Sequence, residues 1–198
     1  AGAGAAVATS GAQPEAPAQQ EGAAPAEAAA DPAAPAAGES AGTTATPPAA
    51  GSGPDTVAVT FENGRWYNAE GIPTFKIDDG VVDYAVFSGY RRYSAECHVC
   101  HGPDGAGSSF GPDLTDALKS LSYSDFLGIV SGGKQDVNTA QTLVMPAFGT
   151  NKNVMCYLDD IYIYLRARSD GALGRGRPQS HEDKSKEATD FENSCMGP

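Results

Sequence analysis

The chain has 198 residues and a formal charge of −12, from 25 acidic and 13 basic residues. That balance argues against nucleic acid or an anionic membrane surface as partner, since both favour a basic face. No run approaches the roughly 18 apolar residues needed to cross a bilayer, so membrane insertion is not expected.

Residues 1–54 are compositionally separate. They hold 22 alanines and 8 prolines, no aromatic and no basic residue, and five carboxylates: Glu15, Glu21, Glu27, Asp31 and Glu39. Such a stretch cannot bury enough apolar surface to offset its ordering entropy, and the repeated prolines interrupt the helix that alanine favours. An extended, disordered acidic tail is expected. The chain opens with Ala1 and no basic, apolar leader, as expected of a secreted protein whose signal has been removed.

Order is expected from residue 55, with 55–80 as an N-terminal extension wrapping the core. Residues 56–61 read as a short strand from their β-branched content, and Glu62-Asn63-Gly64-Arg65 as a turn. Residues 71–77 are a second strand candidate, closed by Asp78-Asp79-Gly80. Trp66, the single tryptophan, and Arg65 are candidates to bind a cofactor carboxylate. Both have an equally simple reading, Trp66 as a core anchor and Arg65 as a turn residue.

From 81 to 168 the pattern is that of a packed core. Val82, Val86, Tyr90 and Tyr93 recur at helical spacing over 81–96, with Asp83 near the start. This helix runs into Cys97-His98-Val99-Cys100-His101. Two thiols three apart, followed at once by histidine, read as a site for covalent c-type haem. Cys97 and Cys100 would become thioethers, and His101 would present an imidazole nitrogen to the iron. A redox dithiol, half of a zinc site or unrelated cysteines are the competing readings. A turn-rich loop, 102–107, follows, and then Gly111-Pro112-Asp113-Leu114, where Asp113 or Thr115 opens a helical turn. Ser122 with Asp125 forms a capping box for a helix ended by Gly132 and Gly133. Residues 134–142 are polar and aperiodic and read as a loop.

Met145-Pro146 comes next. A thioether is a soft ligand suited to the sixth position of a low-spin iron, so Met145 is the distal candidate and Met155 the weaker one. Phe110, Phe126, Leu143 and Phe148 are candidates for an apolar wrap around the haem. Residues 153–168 read as the last helix. From 169 to 198 the chain is polar and is expected to carry no core of its own.

These features together resemble a class I cytochrome c. The resemblance rests on the attachment motif, Gly89 and Tyr93 on the first helix, Pro112 after the haem histidine, Met145-Pro146, and a last helix carrying Tyr164. It covers about 81–168. It implies a mainly α fold of the class I cytochrome c type, one covalent haem c, His101 and Met145 as iron ligands, and a Pro112 carbonyl that takes the outer N–H of His101. Within that class the run Gly89-Tyr90-Arg91-Arg92-Tyr93, the surroundings of Met145 and the stretch 161–178 are similar to the acidic periplasmic cytochromes that accept electrons from quinoprotein alcohol dehydrogenases, including the lanthanide-type methanol dehydrogenases.

The expected role is therefore electron carriage in the periplasm, not catalysis. The donor would be a quinoprotein methanol or alcohol dehydrogenase, and the acceptor a second cytochrome or terminal oxidase. A general periplasmic shuttle, or a haem peroxidase if the iron lost its Met145 ligand, are the alternatives. Haem attachment implies an oxidising compartment, where the two remaining cysteines, Cys156 and Cys195, would pair.

Overall fold

Helix α1 (Tyr84–Glu96) and helix α6 (Leu158–Ser169) cross at Gly89. A Cβ on Gly89 would lie 1.9 Å from the Asp160 carbonyl oxygen and 2.8 Å from Tyr164 Cβ, so only glycine lets the two backbones approach this closely. The structure is a computed structural model that describes residues 1–2, 55–137 and 142–197. The chain divides into two units, Ala1–Thr44 and Ala45–Pro198, and every element below belongs to the second. The acidic tail expected over 1–54 lies outside the described residues, except for Ala1 and Gly2.

The fold is mainly α-helical. Around the crossing pair lie α2 (His98–His101), α3 (Leu114–Ala117), α4 (Tyr123–Gly132), α5 (Lys152–Met155) and α7 (Lys186–Met196). Local capping sets most of their starts. The Asp83 carboxylate accepts from Val86 N at 3.0 Å and opens α1 at Tyr84, so the two valines before it belong to a strand. Asp113 caps α3, and Ser122 caps α4, accepting from Asp125 N at 3.1 Å. The core is Val82, Val86 and Tyr93 packed on Ile161, Tyr162, Ile163, Tyr164 and Leu165. Helix α6 is buried nearly all round, so it has no solvent face to show as a sequence period.

Short strands frame this bundle. β1 (Thr60–Glu62) and β2 (Arg65–Tyr67) form a hairpin, and β3 (Pro73–Thr74) pairs with β2. The hairpin turn is Asn63-Gly64, with φ of 52° and 77°, the two-residue geometry that suits a right-twisted pair. The strand expected at 56–61 thus starts four residues later, because the short partner β2 sets where pairing begins. β4 (Ile77–Asp78) pairs with β5 (Val81–Val82), and β8 (Ser180–His181) lies parallel to β5.

Two further expectations change. Of the loop expected at 134–142, residues 138–141 lie outside the described residues, while β6 (Lys134–Val137) pairs with β7 (Thr142–Met145), in register from Lys134↔Met145 to Val137↔Thr142. The ladder is made by backbone groups, which a polar, unpatterned sequence does not advertise. The single helix expected at 153–168 is two, α5 and α6, because Tyr157 leaves the helical region with φ −123° and ψ 17°. The C-terminal stretch, expected to be polar and without a core of its own, keeps that character. It holds β8 and α7; α7 has no buried residue, and the expected pairing of its Cys195 with Cys156 is present as a disulfide with Cα atoms 5.7 Å apart.

Candidate functional site

Tyr93, one turn before the end of α1, is almost fully buried and donates its hydroxyl to the Gly102 carbonyl at 2.5 Å. That bond ties the helix to the residue just after His101. Between them, Cys97 N–H bonds to Tyr93 O at 2.9 Å and His101 N–H to Cys97 O at 3.0 Å, so 97–101 is one further helical turn. Cys97 and Cys100 are therefore three apart on neighbouring positions of a turn. Both are half-buried, and they are not bonded to each other. His98 and Val99 point to solvent, with Val99 81% exposed.

Burial, followed by the neighbouring Glu96 and Cys100, pushes the Cys97 thiol up to about 12. A redox dithiol needs the opposite shift, since the thiolate is the nucleophile. Among the described residues no group of three or more His, Cys, Asp or Glu is arranged to hold a metal ion.

The His101 ring is buried, and its Nδ1 lies 3.1 Å from the Pro112 carbonyl oxygen. A carbonyl can only accept, so Nδ1 carries the proton and Nε2 keeps its lone pair for another partner. The loop between the two residues is stitched to them. Gly107 N–H bonds to His101 O at 2.8 Å, Ser108 N–H to Gly111 O at 2.9 Å, and Ser108 Oγ donates to Cys100 O at 2.5 Å. A Cβ on Gly111 would sit 3.0 Å from both Cys100 O and His101 Nδ1. The glycine thus leaves the space in which the imidazole is held. This oriented, singly donating histidine beside two free half-buried cysteines fits a c-type haem.

Met145 closes β7, half-buried and packed against the core. The residues after it are fixed to α4: Phe148 N–H bonds to Val130 O at 3.0 Å and Gly149 N–H to Ser131 O at 3.0 Å. Met155, at the end of α5, is also half-buried against the core. Of the four residues expected as an apolar wrap, Phe126 is buried, and Leu143 and Phe148 are half-buried. Phe110 is the exception at 69% exposed: its N–H is bonded to Ser108 Oγ at 2.9 Å, a tight turn that faces its ring outward.

Arg65 is buried, and its Nε donates to Asp160 Oδ1 at 2.6 Å while Nη2 reaches Cys156 O at 3.4 Å. Asp160 also accepts from Ser88 Oγ at 2.6 Å. The N-terminal hairpin is thereby clamped onto α6 and α1. Trp66 packs against Phe61 with the rings tilted by 54° and 5.1 Å between centroids, Lys76 Nζ lies 4.8 Å from its ring, and its buried indole N–H has no acceptor among the described residues. Sequence reasoning missed Asp160 and Ser88. The available signal was the Asp159-Asp160 pair in the first turn of a helix, which reads equally well as solvent-facing charge at its N-terminus.

Residues 85–165 match the family model described as cytochrome C oxidase, cbb3-type, subunit III. The chain is 62% identical to cytochrome c-553I of Paracoccus denitrificans over 146 residues, 73% of this chain, and spans 65% of that relative's length. It is 38% identical to cytochrome c-555 of Methylococcus capsulatus (strain ATCC 33009 / NCIMB 11132 / Bath), covering 48% of this chain and 72% of that one. Among solved structures, the c-type cytochrome XoxG from Methylobacterium extorquens AM1 superposes with a TM-score of 0.66 at 55% identity, over 71% of this chain and 86% of that one. The chain belongs to the c-type cytochromes.

Proposed function

We propose that this protein is a periplasmic one-electron carrier that receives electrons from a quinoprotein methanol or alcohol dehydrogenase and passes them to a second cytochrome or a terminal oxidase. Membership of the c-type cytochromes implies covalent haem c, and Cys97 and Cys100 are the residues to hold it. The haem, when bound, supplies an iron that alternates between ferric and ferrous.

The observation that carries the reading is the His101–Pro112 contact. Pro112 holds the imidazole in one tautomer, so Nε2 is the free nitrogen for the iron. Met145 would supply a second, sulfur donor. Pro146 limits the backbone directly after it, and the Phe148 and Gly149 hydrogen bonds to α4 hold the segment that follows. Two protein ligands leave no open position for a substrate, which is the physical reason for carrier over peroxidase. Trp66 has a buried indole N–H without an acceptor among the described residues, and Arg65, clamped by Asp160 through Nε, keeps a buried Nη1 without one, so each has an N–H to offer a propionate.

The donor is supported by the likeness around Gly89–Tyr93, Met145 and 161–178 to cytochromes serving quinoprotein dehydrogenases, and by the 55% identity to XoxG. Residues 55–170 carry 15 acidic and 9 basic residues, so a donor with a basic rim would be steered in. Stopped-flow mixing with reduced quinoprotein dehydrogenase across a salt series tests this. Fast haem reduction that slows as salt rises is expected. No reduction by the quinoprotein, with fast reduction by a cytochrome bc-type or copper donor, would remove the named donor.

A further inference from the structure

Arginine, though not lysine, is sorted by position in this chain. Six of the seven arginines lie in the second half of α1, in the last two turns of α6 or in the loop after it, although the whole chain is −12. Some of them serve the fold: Arg166 donates to the Leu118 carbonyl, and Arg168 Nη1 to the Leu173 carbonyl at 2.6 Å. Others face solvent.

The loop Gly174-Arg175-Gly176-Arg177 is fastened next to the attachment motif. Asp104, three residues past His101, accepts from Gly176 N at 3.0 Å through one carboxylate oxygen and from Arg175 Nε at 3.3 Å through the other. Its own carbonyl accepts from Arg168 Nε at 3.4 Å. On the far side of the loop Pro178 is buried, and β8 continues along β5. A solvent-open cavity of about 200 Å³ separates the loop from Gly80 and Val82.

The exposed cations converge on one aromatic ring. The Arg177 guanidinium carbon lies 5.3 Å from the Phe87 centroid and that of Arg91 lies 6.0 Å from it. The exposed His181 ring stacks on Phe87 at 3.7 Å between centroids and 15° between planes. Arg175 keeps 69% of its side chain exposed despite its ion pair. Neither Arg91 nor Arg177 has a carboxylate ion-pair partner among the described residues. Glu182 and Asp183 follow His181 along the chain and are the nearest carboxylates in sequence. Cations ordered against a π face lose less freedom when they meet an anion than free surface side chains do.

We propose that Arg91, Arg175, Arg177 and His181 form a docking surface for a carboxylate-rich electron-transfer protein, on the acceptor side of the relay. This rests on the carrier reading above. A chain of −12 repels an acidic partner at long range, so contact requires a local positive face that acts within a Debye length of about 8 Å. The loop's attachment through Asp104 places that face beside the segment bearing His101.

The test uses the full haem-loaded protein, labelled with ¹⁵N, and an acidic blue-copper protein carrying redox-inert cadmium as the binding probe. Shifts are expected at Phe87, Arg91 and 175–181. The triple variant Arg91→Gln, Arg175→Gln, Arg177→Gln should weaken binding at least tenfold. A control triple of equal charge change, Lys119→Gln, Lys152→Gln, Lys186→Gln, should weaken it threefold or less. Shifts confined to other surfaces, no binding, or equal weakening by both triples would overturn the proposal, the last by reducing it to net charge. Arg177→Gln alone serves if the triple variant fails to fold. Reduction by the quinoprotein dehydrogenase is followed in the same samples. Its failure with the arginine effect intact would remove the donor and keep this surface.

Discussion

The Tyr93 hydroxyl donates to the Gly102 carbonyl at 2.5 Å, across the turn that carries Cys97, Cys100 and His101. Both residues are buried, so the carbonyl has no water to turn to if the hydroxyl is removed. Tyr93→Phe should cost roughly 1–3 kcal/mol of stability, the range for leaving a buried polar group unsatisfied. Urea unfolding of the haem-loaded protein measures it. A loss under about 0.5 kcal/mol would show that the contact does not hold the turn.

Met145 and Met155 are both half-buried against the core, so position alone does not rank them as iron ligands. Met145→Ala should keep covalent haem, lose the near-infrared methionine–iron band of the oxidised protein and lower the reduction potential. Met155→Ala should leave the band in place. The reverse pattern would transfer the ligand role to Met155.

The Cys156–Cys195 disulfide closes a loop with a sequence separation of 39. In the chain-entropy treatment such a loop contributes on the order of 3–4 kcal/mol. Helix α7 packs through few contacts, among them Phe191 against the Arg65 guanidinium at 4.3 Å and Lys152 Nζ on the Met196 carbonyl at 2.9 Å. Replacing both cysteines by serine should therefore free α7 before the core melts. Hydrogen exchange would show it as lost protection over 186–196 with α1 and α6 unchanged. Uniform loss of protection across all three helices would contradict this order.

Asp83 joins three elements. Its carboxylate accepts from Lys76 N at 2.6 Å and from Val86 N at 3.0 Å, and the strand pair β5–β8 lies directly against it. Burial raises its pKa to about 6 against the pull of those N–H groups, with Glu182 adding to the rise. A carboxylate raised in the folded state binds a proton there before the unfolded chain does. Its contribution to stability is full below the unfolded value near 4 and is lost as pH rises through 6, on the order of 2–3 kcal/mol across that window. The carboxyl carbon of Asp83 should titrate near pH 6 by NMR. A midpoint at or below 4 would remove the effect.

What could be read from the sequence was whatever depends on a few neighbouring residues. The attachment motif is five consecutive residues. The caps at Asp113 and Ser122 are satisfied within three positions, and the Asn63-Gly64 turn within two, whereas Asp83 was expected inside its helix and proved to be the cap. Gly89 and Pro112 could be picked out only through the family resemblance. The structure supplies their reasons, a backbone contact with Asp160 at the helix crossing and a carbonyl on His101 Nδ1. Other features depend on partners far along the chain, and no local pattern encodes them. Asp104 meets residues 175 and 176, and Arg65 meets Asp160, 95 positions away. The β6–β7 pair is held by backbone hydrogen bonds whose side chains carry no apolar alternation, so it read as loop. The last helix breaks at Tyr157, beside the disulfide at Cys156, where periodicity runs on without a mark. Capping and turn energies act over one helical turn, so sequence carries them. Ion pairs, ladders and helix crossings exist only once distant segments are packed, so tertiary structure decides them.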